Sequence, residues 1–304
     1  MRRVIMLDEG LRILEEGIVK AKNILIGHPP KSLFSGEDYM KFYNCVYTMC
    51  SQRPPYEYSE ELYERYKTAL EESIVSIVLP SLNDKHDAYL LVDLLQMWAN
   101  YKVMTKCLLG FFQYLDYHFV SRRHVPSLND LALLCFHNLV CTKLYGKFRD
   151  AAISMINQER NGQQFQQDLL KNVLDFFVEI GEGKIDYYQT FEQVMLEDAA
   201  SYYSRLASEM LCYKSYTDYI QKVAWFLIQE RERAGRYLQQ ASLEKLLEIV
   251  KWKLMGETAQ LLIEKQKAES HDTETYQDLL SKYAGMSIGE GSSVSLSKQW
   301  SILK

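Results

Sequence analysis

Cysteine, histidine and carboxylate are the side chains with which this chain could hold a metal or move a proton, and none stands at a useful spacing. The six cysteines (Cys45, Cys50, Cys107, Cys135, Cys141 and Cys212) include no CxxC pair. Most lie among Leu, Val, Met and Phe on helical stripes, the setting of buried free thiols. The six histidines form neither HExxH nor a carboxylate–histidine pattern, so no metal centre is expected. There is no DDxxD for magnesium–diphosphate chemistry and no pair of ExxH motifs for a di-iron site. The segment GEGSSVSLSK at 289–298 has the residue types of a phosphate loop at the wrong spacing, and it follows no strand. No catalytic constellation and no cofactor is expected.

The chemistry that does stand out is aromatic surface. Residues 39–51 read YMKFYNCVYTMCS. On a helical projection Tyr39, Tyr43, Val46 and Cys50 make one packing stripe at i, i+4, i+7, i+11. Tyr47 and Met40 flank it on one side, Phe42 and Met49 on the other. Only Asp38, Lys41, Asn44, Thr48 and Ser51 are left for solvent. An apolar arc wider than its packing stripe must be covered elsewhere, within the domain or by a partner.

The elements that must position these rings read as helices throughout. The chain has 304 residues, 47% hydrophobic and 25% charged, enough for about two domains of ordinary globular material. A net charge of −5 with no basic tract gives no reason to expect nucleic acid. No 18-residue apolar run is present, so no membrane span is expected, and the absence of a secretory signal pattern fits a cytoplasmic and nuclear location. All six prolines lie at or before Pro126, between periodic segments. Ser35 with Asp38 and Ser127 with Asp130 have the spacing of capping boxes. Helices are predicted near 8–26, 36–52, 59–79, 84–101 and 103–122, then near 127–159, 165–180, 185–213, 215–240 and 242–268. No credible period-2 strand appears, so the fold class is all-α. The run Glu230-Arg231-Glu232-Arg233 reads as a solvated helix face. Two successive sets of five helices point to a helical repeat array. They divide the chain into 1–125, 126–269 and a Gly/Ser-containing tail, 270–304, that reads as mobile.

Seven colinear blocks then resemble the amino-terminal region of cullins, most closely plant cullins of SCF-type ubiquitin ligases. They are YMKFYNCVYTMCSQRPPYEYSEELYERYKTALEE (39–72), VLPSL (78–82), FFQYLDYHFVSRR (111–123), INQERNG (156–162), LLKNVLDFFVEIG (169–181), MLEDAASYYSRLAS (195–208) and QERERAGRYL (229–238). The resemblance implies an elongated stalk of five-helix cullin repeats, two of them represented here. It implies that the tip of the first repeat docks a Skp-type adaptor carrying an F-box protein. Carried over position by position, the adaptor-contacting residues are Tyr43, Val46 and Tyr47 on the second helix, with Phe111, Tyr114 and Leu115 on the fifth. On that fifth helix Leu108, Phe112, Leu115 and Phe119 form the expected core stripe, and Phe111 and Tyr114 fall beside it.

The family continues into a carboxy-terminal domain that holds a RING-box subunit, and this chain stops before it. The resemblance therefore implies a truncated, non-catalytic scaffold for ubiquitin-dependent proteolysis, with no RING-box subunit expected and competition with full-length cullins as one role. The alternative is a helical-repeat tether or degenerate gene product with no ubiquitin-ligase role. Another departure is the unbroken apolar run VAWFLI around Trp225 and Phe226, which is an altered core contact, an exposed patch or drift.

Overall fold

The computed structural model describes residues 4–163, 167–181, 186–213 and 215–269, and the expected tail 270–304 lies outside them. The described residues are helical without strands, as the patterning predicts. The first helices are α1 (Leu7–Lys22), the single turn α2 (Pro30–Leu33), α3 (Gly36–Ser51), α4 (Ser59–Ser73), α5 (Leu79–Asn83) and α6 (Asp87–Phe112). After the short α7 (Ser121–Arg123) come α8 (Leu128–Phe136), α9 (Thr142–Arg160), α10 (Gln167–Gly181) and α11 (Tyr187–Tyr213). The described chain closes with α12 (Tyr216–Ala234), α13 (Gln240–Lys251) and α14 (Ala259–Glu269).

The caps form as the spacing predicts. Asp38 N–H donates to Ser35 Oγ at 3.1 Å and Ser35 N–H donates to Asp38 Oδ2 at 2.9 Å, a complete capping box. Those donors hold the Asp38 carboxyl below its ordinary range. Asp130 N–H likewise donates to Ser127 Oγ at 3.1 Å.

Two predicted boundaries differ. Pro80 does not end a helix, because a π-helical turn at Ile74–Val78 widens the backbone just before it and α5 continues with Pro80 in its first turn. Looser turns of this kind relieve the clash between a proline ring and the carbonyl four residues back. The predicted helices 84–101 and 103–122 are joined through α6, since nothing near Lys102 breaks the helix. Trp98, Tyr101, Met104, Leu108 and Phe111 are buried along one continuous face of it. The first set therefore has four long helical segments, while the second set shows the predicted five.

The chain divides into two compact units, Met1–Tyr188 and Gln189–Lys304. The predicted repeat junction at 125–126 falls inside the first. There the Tyr63 hydroxyl donates to Pro126 O at 2.9 Å, Tyr66 to Leu128 O at 3.2 Å and Tyr101 to Ala132 O at 2.9 Å. The start of the second helix set thus packs against the first, as stacked repeats require.

In the second unit the Glu230–Arg233 run is only partly a solvated face: Glu232 is exposed, but Glu230 turns inward. Glu230 is 1% exposed, accepts a hydrogen bond from the Tyr203 hydroxyl at 3.0 Å and pairs with Arg233, tying α12 to α11. The VAWFLI run splits between two environments. Val223 and Leu227 are buried, whereas Trp225 and Ile228 are 47% and 51% exposed, with Lys222 Nζ 3.8 Å from the Trp225 ring centroid. Of the three readings of that run, the exposed patch is the one observed.

Five of the six cysteines are buried free thiols, and Cys212 is exposed. Burial pushes Cys45 and Cys135 up to about 11 and Cys50 and Cys141 up to about 12. A raised pKa keeps the thiol protonated until the pH approaches that value. At pH 8 a thiol of pKa 11 is thiolate in only about one molecule in a thousand, and the thiolate is the nucleophile. Titration with a disulfide reagent at pH 8 should modify one thiol quickly and all six only after unfolding. Rapid reaction of three or more in the native protein would contradict this packing.

Candidate functional site

The surface predicted from the aromatic surplus is built where α3 lies against α6. Its foundation is a buried ring cluster. Phe111 of α6 is fully buried, with its ring centroid 4.8 Å from Phe42, 5.3 Å from Phe34 and 5.3 Å from Tyr39. Helix α1 closes over it at Gly17. A Cβ there would stand 3.0 Å from the Phe42 ring and 3.1 Å from Phe111, so any other residue would push those rings back by a few tenths of an ångström. Tyr39 spans α3 and α6 by donating its hydroxyl to Cys107 Sγ at 3.2 Å, and burial followed by that contact raises its pKa.

Above this base, two tyrosines of α3 line up with Tyr114, which lies in the helical segment just after α6. Tyr43 and Tyr47 stack one turn apart, 6.5 Å between centroids and 13° between planes. Tyr47 meets Tyr114 edge-on at 4.8 Å and 74°. Tyr114 in turn meets His118 at 5.5 Å, and His118 Nε2 lies 3.2 Å from the Cys50 carbonyl oxygen. All three tyrosines are half-buried. Exposed apolar side chains stand on the same helical segments: Met40 is 58% exposed and Tyr117 84%.

The predicted contact residues therefore fall into two groups. Tyr43, Tyr47 and Tyr114 are brought together at the surface. Phe111, Val46 and Leu115 are fully buried. This corrects the placement of Phe111 beside the core stripe. The π-helical turn at Asp116–Val120 and the turn at Gln113 follow it, but Phe111 itself sits in regular helix, turned toward α1 and α3. The packing stripe of α3 is also rotated from its predicted position, running through Phe42, Cys45, Val46, Met49 and Cys50 while Tyr43 faces outward. The residues missed from sequence are Phe34 and Gly17, which with Tyr39 of the predicted packing stripe support the rings from below. The glycines at positions 10 and 17 of an otherwise amphipathic α1 were the available signal, since both lie against α3 side chains.

Hydroxyl usage separates the surface rings from the core. Tyr39, Tyr63, Tyr66 and Tyr101 donate to atoms of their own unit. Among the described residues, the hydroxyls of Tyr43, Tyr47 and Tyr114 make no such bond, leaving three donors beside apolar ring faces. Amphipathic rings of this kind are enriched where proteins dock. Chemically the arrangement can bind another polypeptide. Among the described residues no three His, Cys, Asp or Glu side chains come together as a metal site requires, and no helix is long and apolar enough to cross a membrane.

Stacked helices carrying an aromatic surface define a helical-repeat protein, and comparison with known proteins makes the class specific. Residues 20–301 match the cullin alpha solenoid domain. The chain is 46% identical over 271 residues to Cullin-1 of Oryza sativa subsp. japonica, which covers 89% of this chain and 36% of that protein. It is 40% identical over 256 residues to Putative cullin-like protein 2 of Arabidopsis thaliana, covering 83% of this chain and 68% of that protein. It is 33% identical over 237 residues to Cullin-like protein 3 of the same plant, covering 78% and 91%. The chain belongs to the cullin family and is a cullin-like scaffold. It spans little more than a third of the length of the rice cullin.

The two groups of site residues should separate on mutation. Phe111→Ala should lower stability by about 3–5 kcal/mol, as truncation of a fully buried ring does. Tyr47→Ala should cost about 1 kcal/mol or less. Thermal or urea unfolding followed by circular dichroism measures both. Equal losses would place Tyr47 in the core.

Proposed function

We propose that this cullin-like scaffold binds a Skp-type adaptor carrying an F-box protein, through the α3–α6 face bearing Tyr43, Tyr47 and Tyr114. The reading rests chiefly on one observation. Three half-buried tyrosines on neighbouring helical segments lie over a sealed aromatic base, and among the described residues their hydroxyls make no hydrogen bond. The base keeps the rings in place before a partner arrives, so little side-chain entropy remains to be lost on docking. The resemblance of the 39–72 and 111–123 blocks to the adaptor-binding segments of plant SCF-type cullins supplies the partner. The 46% identity to rice Cullin-1 supports the cullin part of this reading.

Within this reading Val46, Phe111 and Leu115 act as props that hold the contact rings at the surface. The scaffold contributes no catalytic group. Within residues 1–304 it engages adaptor through this face alone. It thereby lowers the adaptor available to full-length cullins in proportion to its concentration over its Kd. It acts in the cytoplasm and nucleus, where ubiquitin-dependent proteolysis operates.

The purified chain should capture a Skp-type adaptor–F-box pair in a binding titration. Tyr47→Ala with Tyr114→Ala should weaken capture at least thirtyfold, about 2 kcal/mol, while the circular dichroism spectrum stays that of the wild type. Wild-type affinity in that double variant would remove the proposed interface.

A further inference from the structure

Helix α12 is apolar on two sides, and its own unit uses one of them. It buries Tyr216, Tyr219, Val223, Leu227, Glu230 and Ala234 along its inner side. On the opposite side, at i, i+4, i+7 and i+11, Gln221, Trp225, Ile228 and Glu232 are all exposed. That spacing is the seam along which one helix receives another. The Trp225 ring is braced there. Phe226 meets it edge-on at 5.0 Å and 72°, and the Tyr203 ring of α11 stands 6.2 Å behind Phe226. Lys222 Nζ lies over the other rings' faces, 3.8 Å from the Trp225 centroid and 5.3 Å from that of Phe226. Little side-chain freedom is left for docking to remove.

The charges beside this seam decide what it fits. Among the described residues neither Lys222 nor Glu232 makes an ion pair. Lys222 engages only the two rings, and Glu232 accepts only a long bond from the Gln229 amide at 3.5 Å. They are separated by about 15 Å of helix rise and cannot pair within one chain. A second α12 running antiparallel supplies the missing partner for each. With a two-fold axis level with the Phe226–Leu227 peptide, the partner's Ile228 lies opposite Trp225 and the partner's Glu232 opposite Gln221. Lys222 then falls within about 1.5 Å, one residue's rise, of the level of the partner's Glu232. A parallel pairing would instead set lysine beside lysine and glutamate beside glutamate.

We infer that α12 is the contact of an antiparallel homodimer, in which two Trp225–Ile228 contacts are flanked by two Lys222–Glu232 ion pairs, each formed between copies. This goes beyond the adaptor reading and does not rest on it, since no residue of the seam belongs to the tyrosine face. One helix pair buries less than the ~1,200 Å² of a stable specific interface, so the dimer is weak and forms only at high protein concentration.

Sedimentation velocity of the full chain over a concentration series, up to about 300 µM, reads the association. The wild type should shift from monomer toward dimer across the series, and Ile228→Arg should stay monomeric throughout. Lys222→Glu and Glu232→Lys should each weaken the dimer about tenfold, because each sets two like charges against one another across the axis. The two substitutions combined in one chain should restore most of that loss, an outcome that requires the pairs to form between copies. The Tyr47→Ala, Tyr114→Ala chain should associate as the wild type does. Circular dichroism verifies that every variant is folded, and Trp225→Gln stands in for Ile228→Arg if that chain is not. A wild type that remains monomeric overturns the inference. So does undiminished association in the seam variant, a charge-swapped chain as weak as the single variants, or loss of the dimer in the tyrosine variant, which would move the contact to the other face.

Discussion

The rest of the first unit depends on one packing constraint: Phe111 must be enclosed by α1, α3 and the α2 segment at once. Its ring touches Phe34, Phe42 and Tyr39, and the glycine at position 17 lets the helix crossing above it approach without displacing those rings. Burying one phenylalanine contributes roughly 1.5–3 kcal/mol by area, and each favourable ring pair adds about 0.5–1.5 kcal/mol. With that cluster sealed, α3 and α6 have a fixed rotation about their axes. Tyr43, Tyr47 and Tyr114 then have nowhere to go but the outer face. The core residue and the contact residues are two consequences of the same helix orientation.

How far this was legible in the sequence depends on which signal each residue relied on. Caps were readable because they are local: Ser35 and Asp38, or Ser127 and Asp130, need only three residues of spacing to find each other. Helical class and the number of elements in the second set were readable for the same reason. Pro80 was misjudged because its helix is preserved by a π-helical turn upstream, a backbone adjustment that leaves no compositional trace. The rotation of α3 was misjudged because four apolar or aromatic residues, Met40 and Tyr47 on one side and Phe42 and Met49 on the other, flank the predicted stripe. Projection alone cannot choose between Tyr43 and Phe42 as the inward residue when the neighbour that decides it, Gly17, lies in another helix. The buried Glu230 was invisible for a similar reason, since its Tyr203 partner lies 27 residues away.

The resemblance to cullins and the physical reading met at the same two helices by different routes. The resemblance named Phe111 and Tyr47 together as contact positions, whereas the packing separates them into a prop and a face. A scaffold gains from that division of labour. Aromatic rings held from below form a preorganised surface, on which the three tyrosine hydroxyls make no hydrogen bond among the described residues. The described residues hold their remaining polar chemistry in structural ties, such as Glu230 with Arg233 and Tyr203, and Glu179 with Trp98 and Lys102.

Side-chain oxidation by hydroxyl radicals, read residue by residue with mass spectrometry, tests the central claim most directly. The chain is labelled alone and then in the presence of a Skp-type adaptor–F-box pair. Tyr43, Tyr47, Tyr114 and Met40 should be modified in the free chain and shielded in the complex, with Phe111 unmodified in both. Labelling of Phe111 in the free chain, or a complex in which the three tyrosines stay as reactive as before, would contradict the account.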